Sequence, residues 1–572
     1  MAQDAALSSR TPSPDATAPE RAARRVRHRV PLLCALAPLP LYAVWWVFFA
    51  KGGGDLAAQQ AWADFFAEHP TSPYNLSWYG GVHTANYSLI SPFLMAVLGV
   101  KTVTLLSGLV SGWLGGLLWV RTGIARPLWP ALLTSYALCC NVISGRTTFA
   151  LGAAFALGAC VLLIGSRRLW WAALCAVLAT AASPVAGLYL LVAGAAFLLV
   201  RDWGRALALL APPVVVVGVT TLLFPFEGVQ PMGWGRILAP VLFCAAVLWA
   251  APGRWRALKA GSAVYALGVV LTWVIASPIG TNVERLAQIL APAVLLACLP
   301  PKPDAPKAAG ARTTEAQPSE PQPSAPQRRA GRNKQVAYVL TLVFAVYWVT
   351  QKAVDDIVVY TKVPAWAQHT DGLLTALDRL GADRTRVEVV PARDHREASL
   401  LAGHVNLAKG WNRQADVQRG PLFYDGYPGA GVPDGAFSPE AYKAWLDKWS
   451  VGLVVLHDGR PDGPAEREAA LVRDEPAFLE PVWHDAHWRV YRVRDAQPLV
   501  SAPAEVIRSD QTSLVVRAET AGPVRVKLAY SPWLTTSGGC LARDGEFVRL
   551  EADGPGEYRI SSTYGWTPPK RC

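Results

Sequence analysis

Inside its apolar runs this sequence has almost no charge. About eleven such runs follow one another between Pro31 and Lys352, and Asp, Glu, Lys and Arg gather in the loops that join them. That scarcity weighs against the buried ionisable relays of ion-coupled carriers. The chain also lacks a P-loop, a G-x-G-x-x-G in strand–turn–helix context, an H-E-x-x-H and a G-x-S-x-G, and with them the usual signatures of nucleotide, zinc-protease and esterase chemistry. No C-x-x-C or Cys/His ligand spacing is present, so no structural zinc site is expected. Neither a solenoid or propeller period nor an inverted transporter repeat can be read.

What the sequence does have is hydrophobic residues, 52% of 572. The chain is too apolar to be wholly soluble, yet its last 220 or so residues read as globular sequence. The apolar runs are 31–50, 88–120 (a short approach plus a full crossing), 127–143, 148–165, 169–182, 184–200, 206–224, 237–251, 260–277, 286–300 and 336–352. Each comes near the ~20 residues that a helix needs to cross ~30 Å of hydrocarbon. Basic residues mark Arg21 to Arg29, Arg121 to Arg126, Arg167-Arg168, Arg201 to Arg205, Arg254 to Lys259 and the tract from Lys302 to Lys334. The positive-inside rule puts all of these in the cytoplasm. The opposite set then lies outside: 51–87, 142–147, the turn at Ser183-Pro184, 225–236, 278–285 and everything after Lys352. The first run has no small-residue cleavage site and is followed by Lys51-Gly-Gly-Gly, so it is expected to stay as a helix. The net charge of +12 sits in the tail and the inside loops, where it suits anionic lipid, and nucleic acid is not an expected partner.

The fold expected is an α-helical polytopic membrane bundle of about eleven transmembrane helices, N-terminus in and C-terminus out, with an extracytoplasmic α/β plus β-sandwich module. Its divisions are a disordered basic tail (1–30), the bundle (31–299), a Pro/Ala/Gln-rich cytoplasmic linker (300–335), the last crossing (336–352), an α/β domain (353–497) and a β-sandwich (498–572). Seven of the nine cysteines fall in apolar runs, where a thiol behaves as a small hydrophobe. Cys540 and Cys572 are alone in an oxidising space, and a disulfide between them is expected to contribute about 3–4 kcal/mol.

Polar chemistry concentrates in the outside loops. Asp55 follows Lys51-Gly-Gly-Gly54 at the start of an amphipathic stretch. It reads either as a helix N-cap worth ~1 kcal/mol or as a general base that takes a proton from a sugar hydroxyl. Farther along, Tyr79, His83 and Tyr87 offer aromatic faces and hydrogen-bonding groups suited to a sugar ring. Trp78 alone fits an interfacial aromatic belt equally well. Arg146, Arg236, Asn282, Glu284 and Arg285 sit in three further outside loops, and outside arginines that converge on one mouth suit an anionic ligand such as phosphate.

This arrangement resembles the GT-C superfamily of integral-membrane glycosyltransferases, in particular actinobacterial arabinofuranosyltransferase-like membrane proteins. The resemblance rests on the multi-spanning bundle, the acidic first outside loop from Gly54-Asp55-Leu56 through Trp78-Tyr79-Gly80, the Gly145-Arg146 and Asn282-Val283-Glu284-Arg285 turns, and the C-terminal module. It implies a polyprenyl-phosphate-linked sugar donor, a cell-envelope glycan acceptor, an inverting displacement at the outer face of the plasma membrane, Asp55 as base and arginines on the lipid phosphate. A second acidic pair of the D-x-D type is missing from the later loops, so no metal or other cofactor is expected. Two other classes compete. One is a transporter or lipid flippase. The other is a non-catalytic scaffold whose module binds glycan through Trp411-Asn-Arg413-Gln and Phe423-Tyr-Asp425.

Overall fold

The computed structural model describes residues 28–165, 168–225, 228–299, 325–411, 420–425, 434–565 and 571–572, with the backbone alone over 325–334. The tail at 1–27, the linker at 300–324, and Asn412 and Arg413 of the scaffold reading lie outside the described residues.

The first part of the chain is helical. It runs through α1 (His28–Phe49), α2 (Asp55–Glu68), the strands β1 (Tyr74–Asn75) and β2 (Val82–His83), then α3 (Ser91–Leu98), α4 (Val100–Arg121), α5 (Leu128–Ile143), α6 (Thr147–Leu163), α7 (Leu169–Ala182), α8 (Pro184–Leu199), α9 (Trp203–Leu223), α10 (Gly235–Ala250), α11 (Arg256–Val274), α12 (Glu284–Cys298) and α13 (Ala325–Tyr360). Among the described residues, α1, α4, α9, α11 and the Gln335–Tyr360 part of α13 are long and apolar enough to cross a membrane. The apolar helices α5 to α8 and α10 have 14 to 17 residues. At 1.5 Å per residue they rise only ~21–26 Å, short of a full crossing. The run over 88–120 breaks at Gly99 into α3 and α4. On α4 the small residues Ser107, Gly108, Ser111 and Gly112 are buried, which lets neighbouring helices approach closely.

The helix expected over 336–352 is longer at both ends. Helical backbone starts at 325, inside the expected linker, and continues two turns past Lys352 to Tyr360.

The C-terminal module follows with α14 (Asp371–Arg379), β3 (Arg386–Val389), α15 (Arg396–Leu400), α16 (Pro439–Lys448), β4 (Val451–His457), α17 (Glu466–Arg473), β5 (Leu479–His484) and β6 (Trp488–Val493). These strands form one sheet in the order β3-β4-β6-β5, with β3 parallel to β4 and the other pairs antiparallel. The α/β expectation holds. Beyond it come β7 (Glu505–Ser509), β8 (Ser513–Ala518), β9 (Gly522–Ala529), β10 (Leu534–Thr536), β11 (Cys540–Asp544), β12 (Phe547–Ala552) and β13 (Gly556–Ser562). They pair antiparallel in two sheets, β10-β13-β8-β7 and β11-β12-β9, over a core that includes Val516, Val526, Leu541 and Ile560. The disulfide Cys540–Cys572 ties the last residue to β11.

One boundary shifts. Residues 51–87, placed with the bundle from sequence, are shared: Leu56 and Ala63 pack with Trp45, Met95 and Val103 of the bundle, and the rest of the segment enters the C-terminal module. Trp62, Trp78 and Tyr79 share a core with Trp366, Val387 and Leu407, and Tyr74 and Leu76 enter the core of the sandwich. The sandwich also rests on the end of α9, where Trp533 stacks on Phe224 with ring centroids 5.2 Å apart and its Nε1 donates to the Leu223 carbonyl at 2.7 Å. Module and bundle are thereby joined at two places.

Candidate functional site

Between bundle and module lies a cavity of about 1380 Å³. It is bounded by the ends of the bundle helices on one side and by the C-terminal module on the other, and Asp55, Tyr87, Arg146, Arg236, Asn282 and Arg285 all line it.

Two glycines fix how Asp55 enters. Gly54 has φ +62°, and a Cβ there would stand 2.5 Å from Cδ2 of Tyr360, so only glycine lets the end of α13 lie against the start of α2. The Gly54 N–H donates to the Asp394 carbonyl of the module at 2.7 Å. Gly145 has φ +77°, and a Cβ there would meet Leu56 Cγ at 2.7 Å. Its loop therefore abuts the first turn of α2 and delivers Arg146 to Asp55.

Asp55 is the first residue of α2, Gly54 is the N-cap, and no side chain caps this helix end. The capping alternative is thus not what the carboxylate does. Instead Arg146 Nε donates to Asp55 Oδ2 at 3.1 Å, and Arg146 Nη2 donates to Asp356 Oδ2 at 2.8 Å. All three side chains are at most a fifth exposed. A guanidinium held by two carboxylates has its charge balanced inside the protein, so Arg146 is placed to orient Asp55 rather than to meet an incoming anion.

Other cations face the cavity. Among the described residues the Arg285 guanidinium has no carboxylate at ion-pair distance, and it lies over the Phe149 ring, 5.1 Å from the centroid. Arg236 is half exposed, with Glu284 3.8 Å away. Lys352 lines the cavity from α13, one turn before Asp356 and two before Tyr360, which makes a single stripe at i, i+4 and i+8. Asn282 donates from Nδ2 to Gln230 Oε1 at 3.1 Å. Leu188 and Leu191 of α8 and Val216 and Val217 of α9 give the cavity an apolar wall, with Thr220 and Thr221 beside it.

Three expected site residues are elsewhere. Tyr79 is buried in the module core and its hydroxyl donates to the Gly410 carbonyl at 2.7 Å. His83 is buried beneath the sandwich, with Nε2 2.8 Å from Ser531 Oγ and its ring against Tyr74 and Phe224. Burial holds it neutral, with a pKa lowered to about 4. Glu284 is buried behind the cavity wall. In each case the β1–β2 hairpin or a helix end turns the side chain into a core rather than toward the opening. Trp78 is likewise a core residue, and its Nε1 donates to the Ala398 carbonyl at 3.1 Å. It does not belong to an aromatic belt.

Tyr87 does reach the cavity. It stacks on Trp62 at 5.9 Å and its hydroxyl accepts from Gln59 Nε2 at 2.6 Å. Gln59, one turn after Asp55 on the same face of α2, also lines the cavity, and its buried Oε1 has no donor among the described residues. Sequence reasoning missed Gln59, Lys352, Asp356 and Tyr360. The i, i+4 spacing that links each to a neighbour in the site was the available signal.

Asp55 gives this site a carboxylate suited to accepting a proton, Arg285, Arg236 and Lys352 give it positive charge, and α8 and α9 give it an apolar wall that can hold hydrocarbon. The comparisons with known proteins bear on the sandwich alone. No curated protein matches the chain, and residues 501–572, which span β7 to β13, match a family model described as Domain of unknown function (DUF8823).

Proposed function

We propose that this chain is a membrane glycosyltransferase of the GT-C type, which moves a sugar from a polyprenyl phosphate to a cell-envelope glycan at the outer face of the plasma membrane. In this reading the basic loops and N-terminus lie in the cytoplasm, and the cavity with its covering module lies outside.

An acceptor hydroxyl oxygen attacks the anomeric carbon and forms the new glycosidic bond as the bond from that carbon to the phosphate oxygen breaks, with inversion. The proton passes to the Asp55 carboxylate. The polyprenyl phosphate leaves with its negative charge beside Arg285, Arg236 and Lys352, and it needs little acid assistance because a phosphate is already a good leaving group. Arg146 and Asp356 hold Asp55 in place, and the wall of α8 and α9 takes the isoprenoid chain.

The observation that carries this reading is the division of one cavity between a carboxylate, a set of cations and an apolar wall, with the membrane-length helices α9 and α13 among its lining. The test is incubation of membranes containing the protein with a panel of radiolabelled polyprenyl-phosphate sugars. Transfer of label to envelope glycan that depends on Asp55 is expected. Absence of transfer from every donor in the panel would count against the reading.

A further inference from the structure

The cavity has a fourth sector that the chemistry above does not use. On the module side its wall is made by His395, Trp411, Tyr424 and Asp462, with His395 Nε2 4.0 Å from Asp462 Oδ1 and Nδ1 3.7 Å from Glu397 Oε1. The Trp411 and His395 rings meet edge to face, 6.2 Å between centroids. Trp411 Nε1 is buried and meets no acceptor among the described residues. Trp411 as a whole is only half-buried, so part of its ring faces the cavity.

Size points the same way. A pocket for one small ligand is typically ~300–1000 Å³, and this one is about 1380 Å³. It has room for a second substrate beside the donor headgroup. The chemistry of the wall names that substrate. Aromatic faces cover the C–H faces of a sugar ring, while the His395 ring and the Asp462 carboxylate match its hydroxyls. Asp462 adds negative charge to this wall, which disfavours an anionic glycan there.

We propose that Trp411, Tyr424, His395 and Asp462 form the subsite for the acceptor, a neutral oligosaccharide whose terminal hydroxyl is presented toward Asp55. This inference rests on the transferase reading for the word acceptor, but the carbohydrate site itself does not.

The test uses full-length protein in detergent and a set of neutral pento- and hexo-oligosaccharides two to four sugars long, with binding followed by saturation-transfer NMR. Binding of polyprenyl phosphate to the same samples checks that each variant is folded. At least one oligosaccharide is expected to bind, with Trp411→Ala weakening it about tenfold or more and Trp411→Phe, which keeps a stacking face, weakening it less. Asp462→Asn serves as a second variant should Trp411→Ala fail to fold, and it too is expected to weaken binding. Oligosaccharide binding that neither variant alters would overturn the subsite, as would a protein that transfers sugar from a donor yet binds no member of the set. Trp411-dependent binding in a protein that turns over no donor would support the carbohydrate site while removing its role as acceptor site, which separates failure of this inference from failure of the transferase reading.

Discussion

Arg146 donates from Nη2 to Asp356 Oδ2 at 2.8 Å, which joins the loop after α5 to the last two turns of α13. With Asp55 on its Nε, the same guanidinium pairs with two carboxylates contributed by helices far apart in the chain. Arg146→Ala would leave both carboxylates partly buried and unpaired, and such a loss costs roughly 3–5 kcal/mol. A clear drop in thermal stability in detergent is expected. Asp356→Asn keeps a hydrogen-bond acceptor and should cost less. Equal stability of the wild type and Arg146→Ala would show that the triad is not a structural clamp.

Gly54→Ala places a methyl group against Tyr360 in a backbone conformation that alanine rarely adopts. The expected cost is about 1–3 kcal/mol of stability, accompanied by loss of activity because the start of α2 must move. Gly218→Ala in α9, where a Cβ meets nothing within 4 Å, is the control. It is expected to be neutral or slightly stabilising. Thermal unfolding of the two variants side by side measures the difference.

His83 gives the module a pH dependence. Its folded pKa is lowered to about 4 by burial, whereas in the unfolded chain it is ~6.5. The unfolded state therefore takes up the proton first as pH falls. Stability contributed by the neutral ring is whole above pH ~6.5 and declines between ~6.5 and ~4. His83→Gln should flatten that slope when the melting temperature is followed from pH 7 to 4.5. An unchanged slope would place the acid sensitivity elsewhere.

Topology and the disulfide are tested together. A reporter fused just after Tyr360 should be active only outside the cell, and one inserted within 305–330 only in the cytoplasm. Thiol labelling of unreduced protein should modify neither Cys540 nor Cys572, which are bonded to each other. Labelling of both, or a reversed reporter, would contradict the outside location of the module.

Much of this fold was legible because local pattern decides it. Charge-free stretches marked the helices, and the globular sequence after Lys352 marked the part of the chain that holds β3 to β13. The site was legible where a residue follows a helix break, as Asp55, Arg146 and Arg285 do. It was not legible where the partner is hundreds of residues away. Tyr79, His83 and Trp78 look like ligand-binding groups in an exposed loop, yet Gly410, Ser531 and Ala398 accept or share their hydrogen bonds and make them core. Asp356 was hidden for a different reason. The apolar run ends at Lys352, and the charges after it resemble a loop, although the helix continues to Tyr360, whose ring lies against Gly54.

Asp55→Asn tests the central claim most directly. The amide keeps the size of the side chain and can still accept from Arg146, so the protein is expected to fold and to bind polyprenyl phosphate, but it cannot take the acceptor proton. The account predicts a fall in sugar transfer on the order of 10²-fold or more in membranes containing wild-type amounts of the variant. Transfer at the wild-type rate by a folded Asp55→Asn protein would contradict it.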